Sequence, residues 1–159
     1  MVMSDIPPLL PGKTEAEYRH LFEETYCRKP IYTYDGICIF FRKEVFLHAF
    51  YESTRFKKDA YLSLERTQRV LHIKNVLQSN NSGRYQGWNS KDKIVDPTRM
   101  VAVTLDDFVV VLRMYLNSTG NLCGQFVTCY LADNSIDKIR RSPIWRQEVC
   151  IKALKEKGR

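Results

Sequence analysis

The chain lacks an apolar run long enough to cross a membrane. Its longer apolar runs, such as Ile37 to Phe41 and Phe108 to Leu112, fall far short of the roughly 20 residues that a membrane helix needs. The first residues, Met-Val-Met-Ser-Asp-Ile-Pro-Pro, also lack the charged and apolar regions of a secretory signal. These two absences predict a cytoplasmic protein that makes no membrane contact.

The sequence also lacks the motifs of metal sites and disulfide frameworks. Its five cysteines are odd in number and scattered, with no Cys-x-x-Cys pair. The three histidines fall on three different predicted helices, and none belongs to a His-x-x-x-His frame. The sequence therefore predicts reduced thiols, no metal site and no cofactor. These residues are Cys27, Cys38, Cys123, Cys129 and Cys150, and His20, His48 and His72.

Two hydrolase signatures are missing as well. The chain has no glycine-rich loop that could cradle phosphates and no Gly-x-Ser-x-Gly turn. Nucleotide hydrolases and typical serine hydrolases are therefore excluded. The remaining groups with useful chemistry are histidine, arginine, lysine, threonine and tyrosine.

Positive charge is in excess. The chain has 25 Lys and Arg against 18 Asp and Glu, a formal net charge of +7, and a pI of about 9.2. Neutralising phosphates releases counterions and so contributes to affinity for nucleic acids. The charge therefore favours a polyanionic partner such as a nucleic acid.

The stretch from Met100 to Tyr130 predicts the central structural element. Three β-branched and aromatic runs are separated by Asp-Asp and by Asn-Ser-Thr-Gly-Asn, which predicts three consecutive antiparallel strands. Because side chains alternate along a strand, Arg113 should lie on the face opposite Phe108 and Leu112. The same alternation predicts that Phe126, Thr128 and Tyr130 project together. Polar groups on one face mark it as the candidate binding face.

The other elements complete a single domain over residues 1–159. Residues 1–13 form an irregular lead-in, residues 31–141 the core and residues 143–159 a basic C-terminal helix. Asp35-Gly36 predicts a hairpin turn between two β-rich runs. Helices are predicted at Thr14 to Cys27, Arg42 to Glu52, Leu64 to Gln78 and Ile136 to Arg141, and a short strand at Arg84 to Trp88.

Several polar residues are candidates for function. His48 lies one helical turn from Glu44 and Glu52. Arg66 lies within the apolar stripe of its helix, so it needs a carboxylate, a backbone carbonyl or a bound phosphate as partner. Further candidates for contact with RNA are Lys57 or Lys58 in a basic loop, Arg69 at the edge of the same stripe, Arg113 on the sheet, and Arg84, Tyr85 and Trp88. Tyr85 and Trp88 have the alternative role of anchoring their loop on the core.

The order of these motifs resembles the superfamily of barnase, EndoU, the tRNA-cleaving colicins and RelE, in its phage- and toxin-associated branch. The resemblance covers about residues 31 to 141. The matching segments are Asp35-Gly-Ile-Cys-Ile-Phe-Phe, His48-Ala-Phe50, Lys58, Ser63-Leu-Glu-Arg-Thr-Gln-Arg-Val-Leu-His-Ile-Lys74 and Phe126-Val-Thr-Cys-Tyr130. It implies an α+β fold in which N-terminal helices pack on a four-stranded antiparallel meander with the active site on its open face.

The resemblance also implies a function. A metal-independent endoribonuclease of toxin type would cleave RNA by attack of the 2′-OH, leaving a cyclic phosphate. His48 is then the general acid or base, Arg66 stabilises transition-state charge, and Thr128 and Tyr130 position the phosphate. The residues expected to contact the substrate are Lys58, Arg69, Arg84, Trp88 and Arg113.

The implied partners are RNA, with tRNA as one candidate, and an acidic antitoxin or immunity protein. Two alternatives stay open. One is a non-catalytic RNA- or protein-binding module of a phage or mobile element, and the other is a purely structural protein of such an element.

Overall fold

The computed structural model describes residues 6–157 and has the predicted α+β composition. Its strands are β1 (Ile31–Tyr32), β2 (Cys38–Phe40), β3 (Tyr51–Glu52), β4 (Tyr61–Leu62), β5 (Gly83–Tyr85), β6 (Gly87–Asn89), β7 (Ile94–Asp96), β8 (Val101–Leu105), β9 (Phe108–Leu116) and β10 (Leu122–Leu131). Its helices are α1 (Glu15–Phe22), α2 (Phe46–Ala49), α3 (Leu64–Thr67), α4 (His72–Gln78), α5 (Ile136–Arg140) and α6 (Gln147–Lys157). Along residues 6–157, none of the helices has the length and apolarity that a membrane crossing requires.

The central sheet is mixed. Within the described residues it holds six strands in the order β1-β2-β10-β9-β8-β5. The predicted antiparallel pairing of β8, β9 and β10 is confirmed, as is the hairpin of β1 and β2 around Gly36, whose φ is 86°. The four-stranded antiparallel meander is not confirmed. The hairpin adds to the edge of β10 with β2 running parallel to it, Cys38 opposite Cys123, and β5 extends the other edge.

The predicted helix from Leu64 to Gln78 is broken into α3 and α4. The hydroxyl of Tyr26 donates to the carbonyl oxygen of Val70 at 2.5 Å and accepts from the backbone N–H of Lys74 at 3.0 Å. It therefore replaces the helical bond between those two residues, and an inserted side chain is a known cause of helix breaks. Burial raises the pKa of Tyr26, so the phenol stays protonated and able to donate.

The N-terminal helix contributes to the larger of two buried hydrophobic clusters, called the main core below, which lies on one face of the central sheet. The predicted helix start at Thr14 is confirmed, and the structure shows that Thr14 caps α1 in a capping box with Glu17. Tyr18, Phe22 and Tyr26 are at most 1% exposed. They pack on the apolar side of the sheet, together with the side chains of α2 and α4. The N-terminal residues thus contribute to the same core as residues 31–141.

A β-bulge in β10 changes which face of the sheet the side chains in the second half of this strand point to. The pairing with β9 runs from Phe126 opposite Leu112 to Thr128 opposite Val111, so Val127 is the extra residue. Phe126 and Cys129 consequently point into the main core, whereas Tyr130 packs with Val111 on the other face. The prediction that Phe126 shares a face with Thr128 and Tyr130 is wrong, because strict alternation fails at the bulge.

The end of the C-terminal helix contacts β7 and the segment after it through a polar cluster around the buried Asp96. Asp96 is 5% exposed and accepts hydrogen bonds from the backbone N–H and the hydroxyl of Thr98 at 2.8 and 2.7 Å. The Lys157 ammonium lies 3.5 Å from the Asp96 carboxylate and donates to the Thr98 hydroxyl at 2.9 Å. Burial by itself would raise the pKa of Asp96, but the Thr98 hydrogen bonds and the Lys157 charge outweigh it and lower the pKa.

This cluster should make stability depend on acid pH. A lowered folded pKa gives stabilisation that is complete above the unfolded value of about 3.9 and is lost as pH falls through the folded value. In urea unfolding, Asp96→Asn should therefore be less stable than wild type at pH 6, with the difference shrinking towards pH 3. A difference that stays constant or grows on acidification would contradict this account. Asp92→Asn, an exposed site on the preceding turn, is the matched control.

Candidate nucleic-acid interface

A broad cleft opens on the face of the sheet opposite the main core. Its volume is about 560 Å³. The floor is formed by Arg113 of β9 and by Gln125 and Val127 of β10, one wall by α2 and the residues before it, and the other by the β6–β7 hairpin and the start of β8. The lining residues are Arg42, Val45, His48, Trp88, Asn89, Ser90, Lys91, Arg99, Met100, Arg113, Gln125, Phe126 and Val127.

The charge in the cleft is of one sign. Arg42, Lys91, Arg99 and Arg113 are all exposed, and, among the described residues, no carboxylate lines the cleft beside them. Trp88 adds an indole ring that is 58% exposed. Clustered cations beside an exposed aromatic ring match the chemistry of a single nucleic-acid strand, which has phosphates and flat bases.

The hairpin wall is held close to β8. Gly87 packs so tightly that a Cβ in its place would overlap the carbonyl oxygens of Arg99 and Met100. At the hairpin turn, the side-chain oxygen of Asn89 accepts from the backbone N–H groups of Lys91 and Asp92 at 3.1 and 3.2 Å. The turn thereby holds the backbone of Lys91 at the rim of the cleft.

His48 reaches the cleft from the short helix α2. Its side chain is 47% exposed, and its Nδ1 lies 3.6 Å from the carboxylate of Asp59. Asp59 has a φ of 49°, and its backbone N–H donates to the Ser53 hydroxyl oxygen at 2.9 Å. The carboxylate partner is thus Asp59 and not Glu44 or Glu52, because the helix ends at Ala49 and the helical spacing to Glu52 is lost.

Arg66 lies next to the end of the His48 helix but outside the cleft lining. Its Nη1 donates to the carbonyl oxygens of Ala49 and Tyr51 at 3.1 and 3.2 Å. Of the partners expected for this arginine, backbone carbonyls are therefore the ones that it contacts. Its positive charge still acts on Tyr130, whose pKa is raised by burial and lowered in part by Arg66.

The bulge turns Thr128 and Tyr130 towards the face that carries the cleft. Both are half-buried, and neither lines the cleft itself. Tyr130 packs with Val109 and Val111 under α5. The predicted hydroxyl pair is therefore on the same face as Arg113, further along β10 than the cleft.

The predicted substrate-binding residues are divided between two faces. Arg113 lies in the cleft and donates to the Gln125 side chain at 3.0 Å, and Trp88 lies at its rim. Lys58 is exposed beside Asp59, and Arg69 donates to the carbonyl oxygen of Glu65 at 2.8 Å; neither lines the cleft.

Arg84 lies on the opposite face, next to the main core. It pairs with Asp35 at 2.9 Å, and its guanidinium lies 4.9 Å from the ring centres of both Tyr34 and Trp145. In this arrangement Arg84 is engaged in packing the first hairpin against the C-terminal region and does not face the cleft.

Sequence reasoning missed three of the four cations in the cleft. Arg42, Lys91 and Arg99 lie in loops or turns, where charged residues follow no periodic pattern. The signal that could have found Lys91 is the run Asn89-Ser-Lys-Asp-Lys, which has the polar composition of a hairpin turn directly after Trp88.

No metal-binding group of three or more His, Cys, Asp or Glu side chains is present within residues 6–157. No family model matches the chain, and no curated protein or solved structure matches it. The resemblance to the ribonuclease superfamily therefore stays a prediction.

Proposed function

We propose that this protein is a metal-independent endoribonuclease of toxin type that holds RNA in the basic cleft. The observation that carries the proposal is the cleft itself, where four exposed cations, a tryptophan and a histidine face a common space of about 560 Å³. The type of activity is taken from the predicted resemblance in residues 31 to 141. An acidic antidote protein would complement the charge of the same cleft.

The chemistry requires proton transfer and positive charge. The 2′-oxygen of the substrate attacks the adjacent phosphorus, the bond to the 5′-oxygen breaks, and a cyclic phosphate forms. One proton leaves the 2′-oxygen and one joins the 5′-oxygen, and the His48 imidazole is placed to move one of them. Arg113 offers a fork-shaped donor set for the phosphoryl oxygens on the cleft floor.

Arg66 has a supporting role in this proposal. Because it binds the carbonyl oxygens that end the His48 helix, it holds that helix in place and adds positive charge beside β10. Thr128 and Tyr130 would contact a phosphate that follows β10 beyond the cleft.

The direct test is incubation of the purified protein with total RNA in EDTA, followed by analysis of the new ends. Cleavage with a 2′,3′-cyclic phosphate supports the proposal. Intact RNA in the presence of a correctly folded protein contradicts it.

Binding should depend on salt through the cleft cations. Arg99→Ala and Lys91→Ala should each weaken binding of a single-stranded RNA and reduce the salt slope by about 0.7 for each phosphate that the protein no longer neutralises. Lys152→Ala, an exposed lysine of α6 outside the cleft, should leave both unchanged. Affinity and slope can be measured by fluorescence anisotropy at several salt concentrations, and equal slopes for all three variants would contradict an RNA site here.

A second candidate is an RNA-binding module without catalysis. It is favoured by the placement of the four predicted catalytic residues, because only His48 lines the cleft. Such a module would show the same salt dependence but no cleavage, so the end analysis separates the two functions.

A further inference from the structure

A patch of aromatic side chains continues the cleft across the open face of the sheet. In the strand register, Gln125 of the cleft floor lies opposite both Arg113 and Phe40. Residues paired across neighbouring strands form a row. In the next row, Cys123 lies opposite Tyr115 and Cys38, and Cys38 lies opposite Tyr32 of β1. Alternation along each strand puts Phe40, Tyr115 and Tyr32 on the face of Arg113. These three aromatic residues are called the aromatic platform below.

Two of the three platform residues are exposed to solvent, and the third, Tyr115, is half-buried. Tyr32 is 53% and Phe40 42% exposed, and the rings of Phe40 and Tyr115 lie 6.5 Å apart, tilted by 36°. On the other side of the same strands, Ile39 and Met114 are buried in the main core. On the platform's own face, helix α5 covers the other end of β9, where Ile136 and Ile139 pack on Val109 and Val111.

We propose that the aromatic platform stacks unpaired bases of the RNA held in the cleft, so that the substrate is single-stranded over at least two nucleotides beyond it. The proposal rests on the proposed function. Open sheet faces with exposed aromatic rings bind RNA by stacking two or three bases. In a duplex the bases are already stacked on each other, and their faces are not accessible to the platform.

Charge complementarity favours RNA over an apolar protein partner. Arg113 and Gln125 lie in the same row of the sheet as Phe40, next to the row that holds Tyr115, and Arg42, Lys91 and Arg99 also line the cleft. A strand that stacks its bases on Phe40 and Tyr115 can therefore place its following phosphates among cations. An apolar partner would have to leave those cations unpaired.

The test uses a short 2′-O-methyl RNA, which binds but cannot be cleaved because its 2′-hydroxyls are blocked. Its affinity is measured by fluorescence anisotropy for wild type, Phe40→Ala and Tyr115→Ala, with an intact oligomer and with one that has two adjacent abasic sites. Each alanine variant should bind the intact oligomer about tenfold more weakly. The abasic oligomer should bind wild type weakly and lose little more in the variants, since no base is left to stack.

Three controls separate stacking from misfolding. Phe56→Ala removes a phenylalanine that is 91% exposed and lies in the loop between β3 and β4, outside the six-stranded sheet, and it should bind as wild type does. Tyr115→Phe keeps the ring and should retain most of the affinity. Urea midpoints near that of wild type confirm that the variants are folded.

Three outcomes overturn the proposal. If Phe40→Ala and Tyr115→Ala bind the intact oligomer as wild type does, the platform takes no bases, while RNA cleavage by wild type would leave the proposed function standing. If duplex RNA binds as tightly as the single strand and is equally sensitive to Phe40→Ala, the substrate is not single-stranded. Failure of wild type both to bind and to cleave any RNA removes the proposed function and this inference together.

Discussion

His48→Ala is expected to lower the rate of RNA cleavage by about 10²- to 10⁴-fold, the usual contribution of a positioned general acid or base. His48 is the histidine that lines the cleft, and an imidazole can either accept or donate a proton in the cleavage step. Its side chain is half exposed, so its removal leaves no cavity in the core. Binding of uncleavable RNA and the urea midpoint should therefore stay close to wild type while cleavage is lost.

The matched control is His20→Ala, because His20 is a histidine of α1 that is 74% exposed and lies outside the cleft. It should cleave at the wild-type rate. If His48→Ala also cleaves at that rate, His48 has no part in catalysis and the activity must come from another group.

Asp59 provides a second test of the same site, as a positioning residue that acts through His48. Asp59→Asn removes the charge near Nδ1 and keeps a side chain that tolerates the φ of 49°. It should lower kcat with little change in KM. In the His48→Ala background it should have no further effect, because the imidazole that it orients is gone.

Local sequence patterns predicted much of the fold. Thr14 identifies the start of α1, and Asp35-Gly36 identifies the first hairpin, because a cap and a tight turn depend on neighbouring residues only. The parallel pairing of β2 with β10 was not predicted, since the two strands are far apart along the chain. The break between α3 and α4 was missed for the same reason. It depends on the Tyr26 hydroxyl, 44 positions before Val70.

Three of the predicted site residues lie in one cleft. His48, Trp88 and Arg113 were identified from residue type and position, and all three line the cleft. The facing of Thr128 and Tyr130 depends on a bulge at Val127, a residue with no glycine or proline signal to mark it. Tertiary contacts likewise decide the partners of Arg66 and Arg84, which a helical or strand pattern does not reveal.

Phe22→Ala is expected to destabilise the protein by about 3–5 kcal/mol, the range for removing a fully buried aromatic side chain. Phe22 has no exposed surface. Its ring lies between 5.4 and 6.1 Å from five other aromatic rings, those of Tyr26, Phe41, Phe46, Phe50 and Phe126. The cavity would border both Phe46, in the helix that carries His48, and Phe126, beside the bulge. Urea unfolding at pH 7 measures the destabilisation.

The size of this destabilisation shows whether residues 31 to 141 need the N-terminal helix in order to stay folded. Typical domains are stable by only about 5–15 kcal/mol, so a decrease of that size would remove a large share of the stability, although Phe22 lies outside residues 31 to 141. Phe56→Ala, which removes the same side chain from an exposed loop position, should change stability by less than about 0.5 kcal/mol. If Phe22→Ala were as mild, α1 would be dispensable to the core. A large decrease would instead mean that the resembling segment needs the N-terminal helix in order to hold His48 and β10 in place.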